Sequence, residues 1–174
     1  MDSFFDTTVL VASSSAAHPH FPQASAAVAR VLSGKEKGFV SLHSVAETYA
    51  ALPRLPVVPR IHPLEAVRLI RENVLLKFHT VAAAKDDYLE ALALVSNSGW
   101  PGAKVYDALL LRCAEKCGAQ RVYTFNLRDF RHLAPGPMQQ SAIAVRLNSS
   151  PTIVNAATLN GASGRSSREH RGRE

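Results

Sequence analysis

Phe4-Phe5-Asp6-Thr7-Thr8-Val9-Leu10-Val11-Ala12 is the stretch on which the fold turns. Its aromatic and β-branched residues predict a buried β-strand from Phe4 to Ala12. One carboxylate, Asp6, interrupts the run. A carboxylate among aliphatic side chains is costly to bury unless it is paired or binds a metal ion. No basic residue stands in this window to pair with it.

Downstream, strand and helix signals alternate. Pro22 suits a first helical position, and Gln23 to Leu32 follows as an Ala-rich helix stopped by Gly34. Gly38 to Leu42 reads as a second strand, with a helix opening at His43 or Ser44 and ending near Pro53. Four prolines between Leu52 and Pro63 predict a surface loop. Pro63 to Leu75 reads as an amphipathic helix with Leu64, Val67, Leu69 and Ile70 available to pack, and Phe78 to Ala82 as a strand. Lys85 to Ser96 and Lys104 to Lys116 read as helices, separated by a turn-rich loop and stopped by Gly118. Arg121 to Phe125 reads as a strand, Arg128 to Leu133 as a short helical turn, and Ile143 to Leu147 as a last strand. The alternation implies a parallel sheet covered on both faces, and such sheets collect ligands at the carboxyl ends of their strands.

Three further acids sit in short motifs: Glu47 in Val45-Ala46-Glu47-Thr48-Tyr49, Asp107 in Tyr106-Asp107-Ala108-Leu109-Leu110, and Asp129 in Thr124-Phe125-Asn126-Leu127-Arg128-Asp129-Phe130. Only Asp129 has an adjacent base, Arg128. Converging carboxylates that lack cations favour a hard divalent ion, and this implies a metal-dependent hydrolase.

Each acid also has a structural reading. Ser44 with Glu47 has the spacing of a capping box, Asp107 would be favoured at a helix start by the macrodipole, and Asn126 with Asp129 repeats a capping spacing. Asp6 is the hardest to explain in this way, since a strand end offers no capping duty beyond a turn. His18 and His20, in a Pro-containing loop, read as solvent-exposed rather than metal-binding, and Trp100 as the edge of a core or a base-stacking ring.

The 174 residues, 47% apolar and 20% charged, fit one soluble domain. No apolar run approaches the roughly 18 residues of a membrane helix. No signal peptide is expected, because the N-terminus lacks a positive region followed by an apolar stretch. Cys113 and Cys117 read as apolar packing residues in a reducing cytoplasm, since two thiols alone make no zinc site. The formal charge is +6, and a basic body around an acidic centre suits a nuclease, whose basic rim holds phosphates. Residues 148–174, rich in Ser, Asn, Gly and Arg, are expected to be a disordered basic tail after a domain spanning 1–147.

In their order and spacing, the blocks around Asp6, Glu47, Asp107 and Asp129 resemble the four acidic blocks of the PIN domain, most nearly those of VapC-type toxins of bacterial toxin–antitoxin pairs. The resemblance runs from about residue 3 to 147 and leaves the tail outside. It implies a three-layer α/β/α sandwich with a central, mostly parallel sheet. It also implies Mg²⁺- or Mn²⁺-dependent RNA cleavage, a homodimer, and a cognate antitoxin that occupies the site. Asp6, Glu47, Asp107 and Asp129 fall on the acidic positions, and Thr7, Thr124 and Asn126 on polar positions beside them. Asp6 and Asp107 are expected to ligate the ion directly, with Glu47 and Asp129 on its waters or on a second ion. Thr7 and Asn126 are expected to orient those ligands, and Lys104, Arg128 and Arg131 to contact phosphate. A PIN-fold RNA- or protein-binding module without catalysis is the alternative. A phosphatase or dehalogenase fits poorly, because Thr8 stands where a second acid is needed.

Overall fold

The computed structural model describes residues 1–100 and 102–134. The strand expected at Ile143 to Leu147, the domain limit at 147 and the tail 148–174 lie outside the described residues. Four strands, β1 (Asp2–Phe5), β2 (Lys37–Ser41), β3 (His79–Val81) and β4 (Arg121–Tyr123), form one sheet in the order β3-β2-β1-β4. Every pairing is parallel, with Phe4 opposite both Phe39 and Val122.

The sheet is covered on both faces, so neighbouring strand residues are apolar in succession and turn to opposite sides. Phe4, Phe39 and Val122 pack with α5 (Lys85–Asn97), α6 (Lys104–Lys116) and α7 (Leu127–Leu133). Phe5, Val40 and Tyr123 pack with α1 (Thr7–Ser13) and α2 (Phe21–Leu32). The sheet grows one way through β1, β2 and β3, then the chain returns to place β4 on the far side of β1. Parallel crossovers are right-handed, so a reversal of direction moves the connecting helices to the other face. This accounts for α5 and α6 lying opposite α1 and α2. At Gly38 a Cβ would stand 2.5 Å from a Phe78 ring carbon, so glycine lets β2 pass beneath that ring.

The first expected strand is cut short. Asp2–Phe5 is strand, but Thr7–Ser13 is helix, so the strand expected as far as Ala12 is corrected. Val9, Leu10, Val11 and Ala12 are all buried, and this tertiary burial outweighs their β-propensity. The next helix, α3 (Leu42–Ala51), starts one residue earlier than expected because Ser41 caps it, accepting from the His43 N–H at 3.1 Å. Ser44 is buried one turn in, so the Ser44–Glu47 capping box does not form. Asn126 likewise makes no side-chain cap on α7.

Two other expectations change. Helix α4 (Pro63–Ile70) ends in a wider turn at Arg71–Leu75 and packs through Ala66 and Ile70. Leu64 and Val67 face away from the core, 76% and 52% exposed. Cys113 is buried and Cys117 half-buried, both as free thiols. Among the described residues no helix is long and apolar enough to cross a membrane.

The amino ends of β1, β2 and β4 meet around a buried ion cluster that the sequence reading missed. Glu36 accepts hydrogen bonds from Arg121 Nη1, Arg30 Nε, Tyr123 Oη and Ser3 Oγ. Both the Glu36 and Arg121 side chains are almost wholly buried. Removing one member of such a pair strands the other charge. Arg121→Ala is therefore expected to cost about 3–5 kcal/mol in urea unfolding. The double variant Glu36→Gln/Arg121→Met should cost well below the sum of its single changes, and simple additivity would show that the two groups do not depend on each other.

Candidate active site

At the carboxyl end of the sheet, β1 and β4 are neighbours whose following helices leave for opposite faces. This is a topological switch point, where open parallel sheets form a crevice. Asp6, the first residue after β1, lies in it. Its backbone N–H donates to the Tyr123 carbonyl at 2.9 Å, which extends the β1–β4 ladder by one bond. Its carboxylate is 3% exposed, and Oδ2 accepts from the hydroxyls of Thr8 at 2.6 Å and Thr124 at 2.7 Å. Thr8 Oγ1 in turn accepts from the Phe125 N–H, and Thr124 Oγ1 from the Asn126 N–H. The loop after β4 is thereby tied to the helix after β1.

Glu47 and Asp107 neighbour Asp6, and Asp129 neighbours Asp107. Glu47, in the middle of α3, accepts from Thr7 Oγ1 at 2.6 Å. Asp107, in the first turn of α6, accepts from Asn126 Nδ2 at 3.1 Å. Asp129, in the first turn of α7, pairs with Lys104, whose Nζ is also 3.6 Å from Asp107 Oδ2. Lys104, read from the sequence as a phosphate contact, thus supplies the cation that the window around Asp107 seemed to lack and also pairs with Asp129.

The electrostatics order the acids in a row. Burial pushes the Asp6 carboxyl above its ordinary range against the pull of the threonine hydroxyls, and the charge on Glu47 adds to the rise. Burial, then the charge on Asp6, pushes Asp107 up to about 6, with Lys104 opposing and Asp129 adding. Burial also acts upward on Asp129, but the Lys104 ammonium, the Asn126 amide and the Arg128 charge together outweigh it and hold this acid below the ordinary value. Glu47, Asp6, Asp107 and Asp129 therefore each feel the next. Among the described residues, no three His, Cys, Asp or Glu side chains close around a common point as a metal cage.

Several participants escaped the sequence reading. Thr8 holds Asp6 as closely as Thr124 does, yet a threonine in an apolar run carries no signal of its own. His43 lies with Nε2 3.7 Å from Glu47 Oε1, and that nitrogen is buried without a hydrogen-bond partner. The four-residue spacing of His43 and Glu47 on one helix is a signal that was available. His18 and His20 make a tilted ring contact with each other, and His20 a tilted contact with Phe125.

A raised carboxyl pKa means that ionising the group costs folded-state stability. For Asp107 that cost is absent below pH 4 and builds as pH rises through about 6. Asp107→Asn should therefore stabilise the metal-free protein at pH 7.5, by at most about 3 kcal/mol, and have little effect at pH 4. Thermal melts in EDTA across this range measure the gap, and a gap indifferent to pH would remove the repulsion from the account.

The PIN domain family pattern matches residues 3–135. No curated protein sequence matches the chain significantly. Among solved structures, the fold is similar to that of Mycobacterium tuberculosis VapC20, a Sarcin-Ricin loop cleaving toxin, at 19% identity, with 73% of this chain and 92% of that one covered and a TM-score of 0.59. It is also similar to VapBC2 from Rickettsia felis, bound to a DNA fragment from their promoter, at 13% identity, with 76% and 92% covered and a TM-score of 0.53. At these identities the likeness is one of fold. The family pattern, in contrast, takes in well over half of the chain and all four acids, and the chain belongs to the PIN domain family.

Proposed function

We propose that the protein is a Mg²⁺- or Mn²⁺-dependent endoribonuclease, the toxin of a type II toxin–antitoxin pair acting in the cytoplasm. The observation that carries this reading is the row of carboxylates at the switch point, where burial and mutual repulsion raise Asp6 and Asp107. A set of hard oxygen donors short of counter-charge fits Mg²⁺ or Mn²⁺ better than a softer metal. Mg²⁺ takes one or two carboxylates and keeps several waters, so it does not require a cage of three. Asp6 and Asp107 would hold the ion, and Glu47 and Asp129 its waters. The chemistry such an ion supplies is neutralised phosphate charge and a water acidic enough to attack near neutral pH.

The chain's own groups set the geometry around it. Thr8 and Thr124 fix the Asp6 carboxylate, Thr7 holds Glu47, and Asn126 turns Asp107. Lys104 neutralises Asp129 when phosphate is absent and is placed to meet a phosphate oxygen when one arrives, with Arg128 and Arg131 nearby on α7.

A second reading, a PIN-fold RNA- or protein-binding module without catalysis, draws on Lys104 already answering two of the acids and on the open arrangement of the row. Conservative amides separate the readings. Asp6→Asn and Asp107→Asn keep shape and remove charge, so each should abolish Mg²⁺-dependent RNA cleavage while melting at or above the parental temperature. Asp129→Asn should cost less, since Asn126 and Lys104 remain. Parental cleavage rates in folded Asp6→Asn and Asp107→Asn would sink the nuclease reading, and loss of fold in both would favour a structural role.

The reading extends to partners, a homodimer and a cognate antitoxin. Its motive is the apolar surface beside the site. A groove of about 470 Å³ runs from Glu47 past Ala50 and Ala51 to Leu55, and Leu64 and Val67 stand exposed on α4. An antitoxin segment in that groove could carry an arginine to the carboxylates in place of the ion. Coexpression with the neighbouring gene is expected to yield a stable complex that lacks nuclease activity. A monomer that ignores the neighbouring product would overturn the toxin assignment.

A further inference from the structure

The acidic row has an aromatic contact at each end, and the two differ in kind. At the Lys104 end, the ammonium lies 5.7 Å from the Trp100 ring. Trp100 packs on the core and against His132, so its surface is largely committed. At the Glu47 end, the His43 imidazole lies on the Tyr106 ring, with centroids 5.2 Å and planes 22° apart. His43 is one helical turn before Glu47, and Tyr106 immediately precedes Asp107. The stack is thus fastened to two of the acids through two separate helices. Tyr106 nevertheless leaves 47% of its surface to solvent, and among the described residues His43 is the only ring against it.

An aromatic ring stacked on a second ring, about half exposed to solvent and one residue from a carboxylate assigned to the ion, is suited to stack on a nucleobase. The support from His43 limits the rotamers that Tyr106 would otherwise lose on binding. Every base has a π-face, so the contact tolerates sequence and requires only that the base be unpaired. On the strength of the nuclease reading above, we infer that Tyr106, backed by His43, is the stacking platform for one unpaired base next to the scissile phosphate. Neither residue touches the reacting atoms in this account. Tyr106 binds and His43 positions it.

The experiment is fluorescence anisotropy of a labelled short oligoadenylate in Ca²⁺, paired with an abasic ribose-phosphate oligomer of the same length. Tyr106→Ala is expected to weaken oligoadenylate binding about tenfold and to leave the abasic oligomer unchanged. Tyr106→Phe and Tyr106→Trp should keep wild-type affinity, and His43→Ala should weaken oligoadenylate alone by a smaller factor. Circular-dichroism melts of each variant report any loss of fold. If Tyr106→Ala binds oligoadenylate as the wild type does, or loses the abasic oligomer equally, the platform is wrong even where the wild type still cleaves RNA. If Tyr106→Ala instead loses only the antitoxin, the ring belongs to a protein interface and the inference fails. A wild type that neither binds nor cleaves RNA with any divalent ion overturns the nuclease reading beneath it.

Discussion

The site depends on the bond pattern that ties β1 to β4 around Asp6. Here the peptide N–H of an acid continues the parallel ladder, while its carboxylate gathers hydroxyls from the turn after each strand. The two requirements reinforce each other. The ladder bond sets where Asp6 lies, and Thr8 and Thr124 set how its carboxylate is turned. A buried carboxylate of this kind is retained against a desolvation cost, and the hydroxyls offset only part of it. The site is therefore electrostatically poised even though the Asp6 carboxylate is hydrogen-bonded.

The two ends of the sheet treat buried charge in opposite ways. At the amino end, Glu36 meets two arginines, a tyrosine and a serine, so its charge is answered within the fold. At the carboxyl end, Lys104 pairs with Asp107 and Asp129 rather than with Asp6. The first cluster staples β1, β2 and β4, its charges answered at close range. In the second, burial and neighbouring charge hold Asp6 and Asp107 above their ordinary range. Answered and partly answered charge are thus divided between opposite ends of one sheet.

Much of this was legible in the chain. The alternation of strand and helix signals implies a parallel sheet with two covered faces, and the sheet is of that kind. The four acids are visible as an ordered set of short motifs, although each except Asp6 also has a local capping or dipole explanation. The boundary between Phe5 and Thr7 was not legible. Val9 and Val11 favour a strand by type, and burial of the run in α1 decided the matter. The capping box at Ser44 and Glu47 was a false signal for a similar reason. Ser41, one turn earlier, takes the cap, and this releases Glu47 to meet Thr7 across the site.

Residue types and spacing by themselves determined the fold class, the identity of the four acids and the basic character of the body around them. These follow from local chemistry, in which apolar periodicity, turn residues and uncompensated charge all act over a few positions. Only the tertiary structure decided that Lys104 would pair with an acid 25 residues away, that His43 would lie on Tyr106, and that Glu36 would find Arg121 across 85 residues. Those contacts depend on sheet order and on which face each helix covers. Both are settled when the whole core packs, and no short window of the chain carries that information.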